Sequence, residues 1–511
     1  MTTTFASNYY SFVITLIILL NEVPIITSLF VYGTFLLPSS HIQNVEKTQS
    51  TTLRLSSSSS SDGVWYSDPR LTRVDIPSLT SNIDSVIHNG DDINSLESGR
   101  FIFVQNGERG KVCHLVVSST KSTTTNNNDN HVNNDDNSTL LQIPYYFTFQ
   151  QIKDIIGDVE SIKALLNGEE VRNENNQLCW SLIWLGNHDD DNIIEEDNSS
   201  NGTRKRPGYW ALYHGTNNDI VQQTILDLVT TNIQVDDVSQ TTSSYCTSIT
   251  FLPLREFGDK IIHSKDAAIY STANGLIEFH KSNLFCSTCG SPTIIQKAGI
   301  SRSCSNHPTY YKQKQKQQQK DDHVNKSSQS ISQLTCTASR PSIYPRIDIA
   351  SIMLITSPCE QYALLGRKKS WPKGRYSTLA GFLEIGETLE QCCSRETLEE
   401  SGVHVDNDSI VFVKSQPWPF PRSLMVGFRA RAKKSNSIET TNSDKSSLPE
   451  INFDPKEMED VQWFHRDYVS QHLSGGSTAL EYNHVTEKEK EFHIPGKASL
   501  ARYLITSWAR E

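Results

Sequence analysis

Glu396, Glu399 and Glu400, together with Cys286, Cys289 and Cys304, are the residues of this chain whose types and spacing suit chemistry. On a helix turning about 100° per residue, the three glutamates share an arc of roughly 100°. Carboxylates that close repel one another unless a cation stands between them, and hard oxygen donors of this kind suit magnesium or manganese. Cys286-x-x-Cys289-Gly290 forms a knuckle whose glycine lets backbone amides turn toward the thiolates, and Cys304 follows at a zinc-ribbon spacing. The fourth zinc ligand stays open between His307, which completes C-x-x-H, and Cys336, which lies beyond a Gln/Lys-rich insertion over 309–334. Four protein ligands leave no open coordination position, so this zinc is structural.

The glutamates need a helix and a tight turn ahead of it. Gly381 and Gly386 supply the turn. Thr388 stands at the N-cap with Gln391 as its capping-box partner, neither proline nor glycine interrupts 388–401, and Gly402 stops the helix. Apolar runs at 349–355, 362–366, 410–413, 424–430 and 461–464 read as strands, and 495–508 as a closing helix. Arg367, Lys368, Lys369, Lys373 and Arg375 precede the turn and are read as a charged surface hairpin, with phosphate contact as the alternative. Pro417, Pro419 and Pro421 fix 415–423 as an extended loop, in which Trp418 and Phe420 either offer faces to a base or simply pack. Glu457 is a further carboxylate for the metal site or an exposed loop acid. Cys392 and Cys393 read as small packing residues, and no His–Ser or His–Cys constellation competes with the carboxylates.

The chain has 511 residues, enough for two or three domains, yet only 36% are hydrophobic because polar tracts run through it. The tracts at 119–138, 188–201 and 433–450 cannot bury a core and are expected to loop out. A net charge of −11 argues against a large nucleic-acid-coating surface, although metals held by acids reverse the local sign. Ten cysteines in this length do not make a disulfide scaffold, and thiolate ligands call for a reducing compartment. Residues 1–62 read as a targeting or anchoring segment followed by a Ser-rich linker. Within them, 12–37 is either a signal-type apolar region or a membrane anchor, and no Lys or Arg precedes Lys47. The remaining organisation is expected as an α+β domain over 63–280, a zinc ribbon over 281–343 and a catalytic domain over 344–511.

From Gly381 to Val403 the residues run G-x5-E-x7-R-E-T-x-E-E-x-G-V. This resembles the Nudix box, G-x5-E-x7-R-E-U-x-E-E-x-G-U with U aliphatic. The one departure is Thr397, which has nearly valine's shape but a hydroxyl that needs a partner. The F-C-x-x-C-G of Phe285–Gly290, the Y-P-R-I-D of Tyr344–Asp348 and the S-Q-P-W-P-F-P-x-S of Ser415–Ser423 resemble the NADH pyrophosphatase branch of that family. The resemblance is good over 265–511 and weak over 63–264.

It implies an α+β chain whose C-terminal part is a Nudix α/β/α sandwich with a mixed sheet, preceded by a zinc ribbon and a Nudix-like N-terminal domain. It implies Mg2+ or Mn2+ on Glu396, Glu400, Glu457 and the Ala380 carbonyl, with Glu399 as ligand or base. Arg395 would fix a carboxylate, with Glu387 the expected partner. The substrate loop falls on Gln416, Pro417, Trp418, Pro419, Phe420, Pro421, Arg422 and Ser423. Tyr344 and Phe382 match aromatic positions that sandwich a ring, and Ala501 matches a backbone contact. The eight-residue step from Cys336 to Tyr344 favours Cys336 over His307 as the fourth zinc ligand. The implied reaction is hydrolysis of NADH or NAD to AMP plus NMNH or NMN, by a homodimer. NAD-capped RNA or ADP-ribose are alternative substrates of the same site, and a nucleotide-sensing module is the non-enzymatic alternative.

Overall fold

The computed structural model describes residues 71–72, 100–106, 111–120, 140–166, 169–175, 177–188, 208–216, 219–236, 246–258, 261, 263–310, 336–434, 448–473 and 492–511. All of them lie in one unit, Ser60–Glu511. The targeting segment expected over 1–62 and nearly all of the four polar tracts fall outside the described residues; only the tract edges at 119–120, 188, 309–310, 433–434 and 448–450 are described, and 119–120 and 188 prolong strands.

Strict alternation builds the first sheet. Phe101 and Phe103 point into one core while Ile102 and Val104 point into another, as a strand covered on both faces requires. The sheet contains β1 (Leu71–Thr72), β2 (Arg100–Asn106), β3 (Val112–Thr120), β4 (Leu140–Pro144), β5 (Val171–Arg172), β6 (Leu178–His188), β7 (Gly208–His214) and β8 (Cys246–Pro253). Helices α1 (Phe149–Ile156), α2 (Val159–Leu166) and α3 (Asp219–Asp236) cover one face. The short α4 (Leu254–Phe257) and the long α5 (Ser264–Ser282) cover the other.

A three-stranded ribbon follows, with β9 (Thr293–Gln296), β10 (Ser301–Cys304) and β11 (Ser342–Ile343) all antiparallel. Ala298 and Ile300 pack against the first core. At Gly299 a Cβ would stand 2.8 Å from the Ile183 side chain, so only glycine admits this approach.

The C-terminal sheet repeats the plan of the first. It contains β12 (Asp348–Thr356), β13 (Tyr362–Arg367), β14 (Leu379–Phe382), β15 (Val411–Trp418), β16 (Ser423–Arg431) and β17 (Asp460–His465). The strand order is β15-β16-β12-β13-β17, with β12 and β16 parallel and the other neighbours antiparallel. In the first sheet β6-β7-β2-β3-β8 has the same order, and β2 and β7 are its parallel pair. The α/β/α layering is completed by α6 (Leu389–Ser401) on one face, against Met353 and Ile355, and by α7 (Arg466–Gln471) and α8 (Leu500–Ala509) on the other, against Ile352 and Leu354.

Two element boundaries differ from the sequence expectation. Ser415–Trp418 is not loop but the end of β15, because Gln416, Pro417 and Trp418 register against Met425, Leu424 and Ser423. The closing helix starts at Leu500 rather than 495, since the Gln416 side chain caps its first turn from another strand.

Candidate functional site

The acidic helix forms where its local signals place it. Thr388 is the N-cap, its hydroxyl accepts from the Gln391 N–H, and the Gln391 side chain accepts from the Thr388 N–H. Gly402 ends the helix in the left-handed region at φ 73. The Thr397 hydroxyl, fully buried, donates to the Cys393 carbonyl at 2.7 Å, so the polar atom in the apolar position is satisfied one turn back. Cys392 and Cys393 are wholly buried, and burial raises both thiols above their ordinary range, which suits packing and not nucleophilic work.

Helix α6 lies directly on β14. At Gly381 a Cβ would stand 1.7 Å from Glu396 Cδ, so the carboxylate occupies the space a side chain would need. One residue earlier, the Ala380 N–H donates to Glu400 Oε2 at 3.1 Å. Two carboxylates thus sit over consecutive residues of one strand. Burial raises both of them above the ordinary carboxylate range, and Arg395 beside Glu396 and Lys368 beside Glu400 only partly offset that.

Arg395 connects the turn to the helix. Its Nε and Nη2 donate to the two oxygens of Glu387 at 2.6 and 2.9 Å, a bidentate pair. Its Nη1 reaches Glu396 at 2.8 Å and Glu399 at 2.9 Å, and Nη2 also holds the Phe382 carbonyl at 2.9 Å. Lys368 Nζ lies 3.1 Å from Glu400 Oε1. The basic run is therefore not only a surface hairpin: Lys368 faces the carboxylates, and Arg367 pairs with Glu459 at 2.9 Å.

These donors fit a divalent cation: hard oxygens, two of them desolvated, on rigid elements. The expected four-ligand cage of Ala380, Glu396, Glu400 and Glu457 is nevertheless not closed. Glu457 is exposed, and its N–H bonds to the Asp454 carbonyl. Among the described residues, only the four cysteines bring three or more ligand atoms within 4.8 Å of one another. Like charges separate unless paired, and here Arg395 serves Glu387, Glu396 and Glu399 while Lys368 serves Glu400. Lys368→Met, which removes the ammonium competing for Glu400, is expected to tighten Mn2+ binding about two- to fivefold. A paramagnetic titration of the free protein reads this directly, and unchanged affinity would mean that the ammonium does not compete.

The aromatic positions divide. Phe382 and Tyr344 are 59% and 47% exposed, which is high for rings of this size, and the Lys297 ammonium lies 5.1 Å from the Tyr344 centroid. Phe382 lines a cleft of 460 Å³ with Ile347, Asp348, Ile349 and 383–385. Tyr344 receives Lys297, whose ammonium donates to the phenol oxygen at 2.7 Å. Trp418 and Phe420, by contrast, pack edge to face with each other and against the core beneath α5. Gln416 is fully buried, and its amide is used at both ends, donating to the Ala498 carbonyl at 2.6 Å and accepting from the Leu500 N–H at 2.8 Å. It positions α8 and has no free group for a ligand, so its expected place among the contact residues is corrected. Ala501 follows in the same helical turn, buried in the core. Pro417 is half-buried and Pro419 buried, Ser423 is buried, and Pro421 is exposed. The Arg422 carbonyl accepts from the Asp348 N–H at 3.1 Å.

The ribbon gathers Cys286, Cys289, Cys304 and Cys336. Cys286 and Cys336 Sγ are 3.9 Å apart and Cys289 and Cys304 Sγ 3.5 Å, against an edge of about 3.8 Å for a tetrahedral Zn–thiolate site. His307 is spoken for otherwise: Nε2 donates to the Ala338 carbonyl at 2.9 Å, and Nδ1 accepts from the Thr309 N–H at 3.1 Å. Metal analysis is expected to find about one zinc per chain in His307→Ala and most of it lost in Cys336→Ser. Full zinc in the serine variant would remove Cys336 from the ligand set.

Four contacts have no local mark in the sequence. The Lys368–Glu400 pair had its signal in the basic run, but nothing local marked which lysine turns inward. Asn274 and Arg255, which reach the proline loop from the first domain, and Glu170, which meets Arg302, are joined only by the tertiary fold.

The family model described as NUDIX domain matches residues 346–479, and the NADH pyrophosphatase zinc ribbon domain matches 281–308. Over 249 residues the chain is 32% identical to the human protein named NAD-capped RNA hydrolase NUDT12, covering 49% of this chain and 43% of that protein. It is 32% identical over 256 residues to the Mycobacterium bovis NAD-capped RNA hydrolase NudC, covering 50% of this chain and 64% of that one. It is 30% identical over 275 residues to Arabidopsis thaliana Nudix hydrolase 19, chloroplastic, covering 48% and 52%. The chain therefore spans only part of the length of the curated relatives it matches.

Proposed function

The chain carries a Nudix domain behind a zinc ribbon of the NADH pyrophosphatase type, and from that premise we propose that it hydrolyses the pyrophosphate bond of NADH or NAD, yielding AMP with NMNH or NMN. The observation that carries the proposal is the pair of desolvated carboxylates, Glu396 and Glu400, seated over Gly381 and Ala380 on the strand that ends in the exposed Phe382.

Glu396 and Glu400 would hold the cation, with the Ala380 carbonyl and, once turned in from its exposed position, Glu457 as further ligands. A bound Mg2+ or Mn2+ supplies Lewis acidity at the diphosphate and a more acidic water. Glu399, half-exposed beside them, takes the proton of the attacking water. Arg395 keeps Glu387, Glu396 and Glu399 oriented and fixes the Phe382 carbonyl, so the turn and the helix act as one piece. Phe382 and Tyr344 offer their exposed rings to a nucleotide base. The backbone of 417–423, held by proline and by the first domain, shapes the base pocket.

A second reading, removal of an NAD cap from RNA by the same cleft, is favoured by the names of the human and mycobacterial relatives. A capped 5′ end needs only the dinucleotide pocket, which an acidic chain can still provide. Chromatography of products from NADH, NAD, ADP-ribose and NAD-capped RNA with purified protein and Mg2+ tests both readings. AMP plus NMNH from NADH supports the first, turnover confined to capped RNA supports the second, and no cleavage of any dinucleotide pyrophosphate would sink the proposal. We extend it to a homodimer in a reducing compartment, where the four ribbon thiols remain available to zinc.

A further inference from the structure

We infer that the N-terminal domain is a positioning element for the substrate loop, and that Asn274 is the residue through which it acts. The inference rests on the reading of 417–423 as the substrate loop.

The domain repeats the strand order of the catalytic one, and the segment between β4 and β6, where the catalytic domain carries its glutamate helix, instead holds α1 and α2 with their apolar faces buried. Among the described residues it brings no group of three acids, histidines or cysteines together. What it does present to the catalytic domain is one side of α5, with Arg255 of α4 beside it. Asn274 there is 6% exposed, and its Nδ2 donates to the Pro419 carbonyl at 2.7 Å. Its Oδ1 lies 3.2 Å from His114 Nε2, on a fully buried ring. Burial pushes the His114 pKa down to about 4, so the ring is neutral near neutrality and Nε2–H donates to Oδ1. That bond settles which end of the Asn274 amide faces the loop: the oxygen is taken, and the NH2 points to Pro419.

Two further contacts lie on either side. Arg255 spans the loop's aromatic pair, 5.9 Å from the Trp418 centroid and 5.5 Å from that of Phe420. Arg422 Nη1 donates to Ser282 Oγ at 3.1 Å, one end of α5 away from Asn274. A proline-rich strand end has few N–H groups to hold itself, so its carbonyls need outside donors. The Pro419 carbonyl lies at the middle of the loop, and its donor comes from 145 residues earlier in the chain.

Asn274→Asp keeps size and the His114 acceptor but sets an oxygen against the Pro419 carbonyl, whereas Asn274→Leu removes both bonds. In each, amide exchange over 416–423 is expected to rise about tenfold. The KM for NADH is expected to rise about tenfold, with kcat within about twofold of wild type. Arg255→Gln, at an exposed position that leaves the core alone, is expected to move KM in the same direction by about threefold. It keeps the test alive if the Asn274 variants do not fold. Unchanged loop exchange in the folded variants overturns the inference, whatever the turnover. Raised exchange with a wild-type protein that cleaves no dinucleotide leaves the positioning intact and removes the functional reading instead. Equal loss of kcat and KM effect with lowered melting temperature in every variant would mean that the contact is structural only, which also overturns it.

Discussion

Glu400→Gln is expected to lower turnover of NADH about a thousandfold while the protein still folds and still binds AMP. Glu400 is 3% exposed and wedged between the Ala380 N–H and the Lys368 ammonium. Glutamine has the same shape, and its one oxygen keeps the Ala380 bond. Its NH2 then faces Lys368, donor to donor, and offers no anionic oxygen to a cation. The fold loses an ion pair with a half-exposed lysine, which is worth at most about 1 kcal/mol. With Glu400 as a proposed ligand, the reaction would lose part of its Lewis acid's hold, an effect of several kcal/mol, and each 1.36 kcal/mol is about tenfold in rate. Glu396→Gln should behave alike, since its carboxylate fills the space above Gly381 and is the second ligand proposed for that cation. Turnover, AMP calorimetry and Mn2+ titration on one preparation separate the cases. Wild-type turnover in Glu400→Gln would show that the metal site lies elsewhere. Lost AMP binding alongside lost turnover would show that the substitution had damaged the pocket rather than the chemistry.

Short-range chemistry was legible in the sequence, and long-range pairing was not. Helix α6 begins and ends where its caps put it, because Thr388, Gln391 and Gly402 act within one turn of the chain. The five apolar runs of the C-terminal half are strands, each running on by one or more residues where a neighbour's backbone continues the ladder, although Ile410 stays outside its strand. The α/β/α layering follows from β12, whose continuous apolar run has to be covered on both faces. The end of the proline stretch was misread because proline's missing N–H argues against a strand. Here Pro417 sits on the edge strand β15, where that N–H is not needed. Trp418 and Phe420 look like ligand-facing aromatics in sequence, and nothing nearby shows that Arg255 and the α5 side of the first domain take them. The fourth zinc ligand needed the fold as well. Residue type alone leaves Cys336 and His307 open and the step to Tyr344 favours the cysteine; the fold adds that Cys336 joins the other three thiols while the Ala338 carbonyl occupies the histidine.

Glu170→Ala is expected to cost about 3–5 kcal/mol of stability, the largest single loss among the described surface and buried pairs, through a contact far from the chemistry. Its partner Arg302 belongs to the ribbon and is completely buried. Arg302 Nη1 and Nη2 donate to the two Glu170 oxygens at 2.8 and 3.2 Å, Nε donates to the Thr293 hydroxyl at 2.7 Å, and Nη2 also donates to the Thr293 carbonyl at 2.9 Å. His280 completes the set, its Nδ1 3.2 Å from Nη1 and its Nε2 2.7 Å from the Gly299 carbonyl. Removing the glutamate leaves a completely buried guanidinium without its counter-charge, which is why the loss exceeds that of a surface pair. The double variant Glu170→Leu with Arg302→Met, which removes both charges and fills the space, should recover much of the loss. The pH dependence gives an independent reading. Burial pushes the Glu170 carboxyl up, but Arg302 and Arg172 outweigh that and hold it below its ordinary value. A carboxyl depressed in the folded state stabilises fully above its unfolded pKa and loses that contribution as pH falls through the folded one. The melting-temperature gap between wild type and Glu170→Ala should therefore be constant around neutrality and narrow below about pH 4. A gap that widens in acid, or a glutamate variant as stable as wild type at pH 7, would show that the ribbon is held to the first domain by its apolar contacts at Ala298 and Ile300 alone.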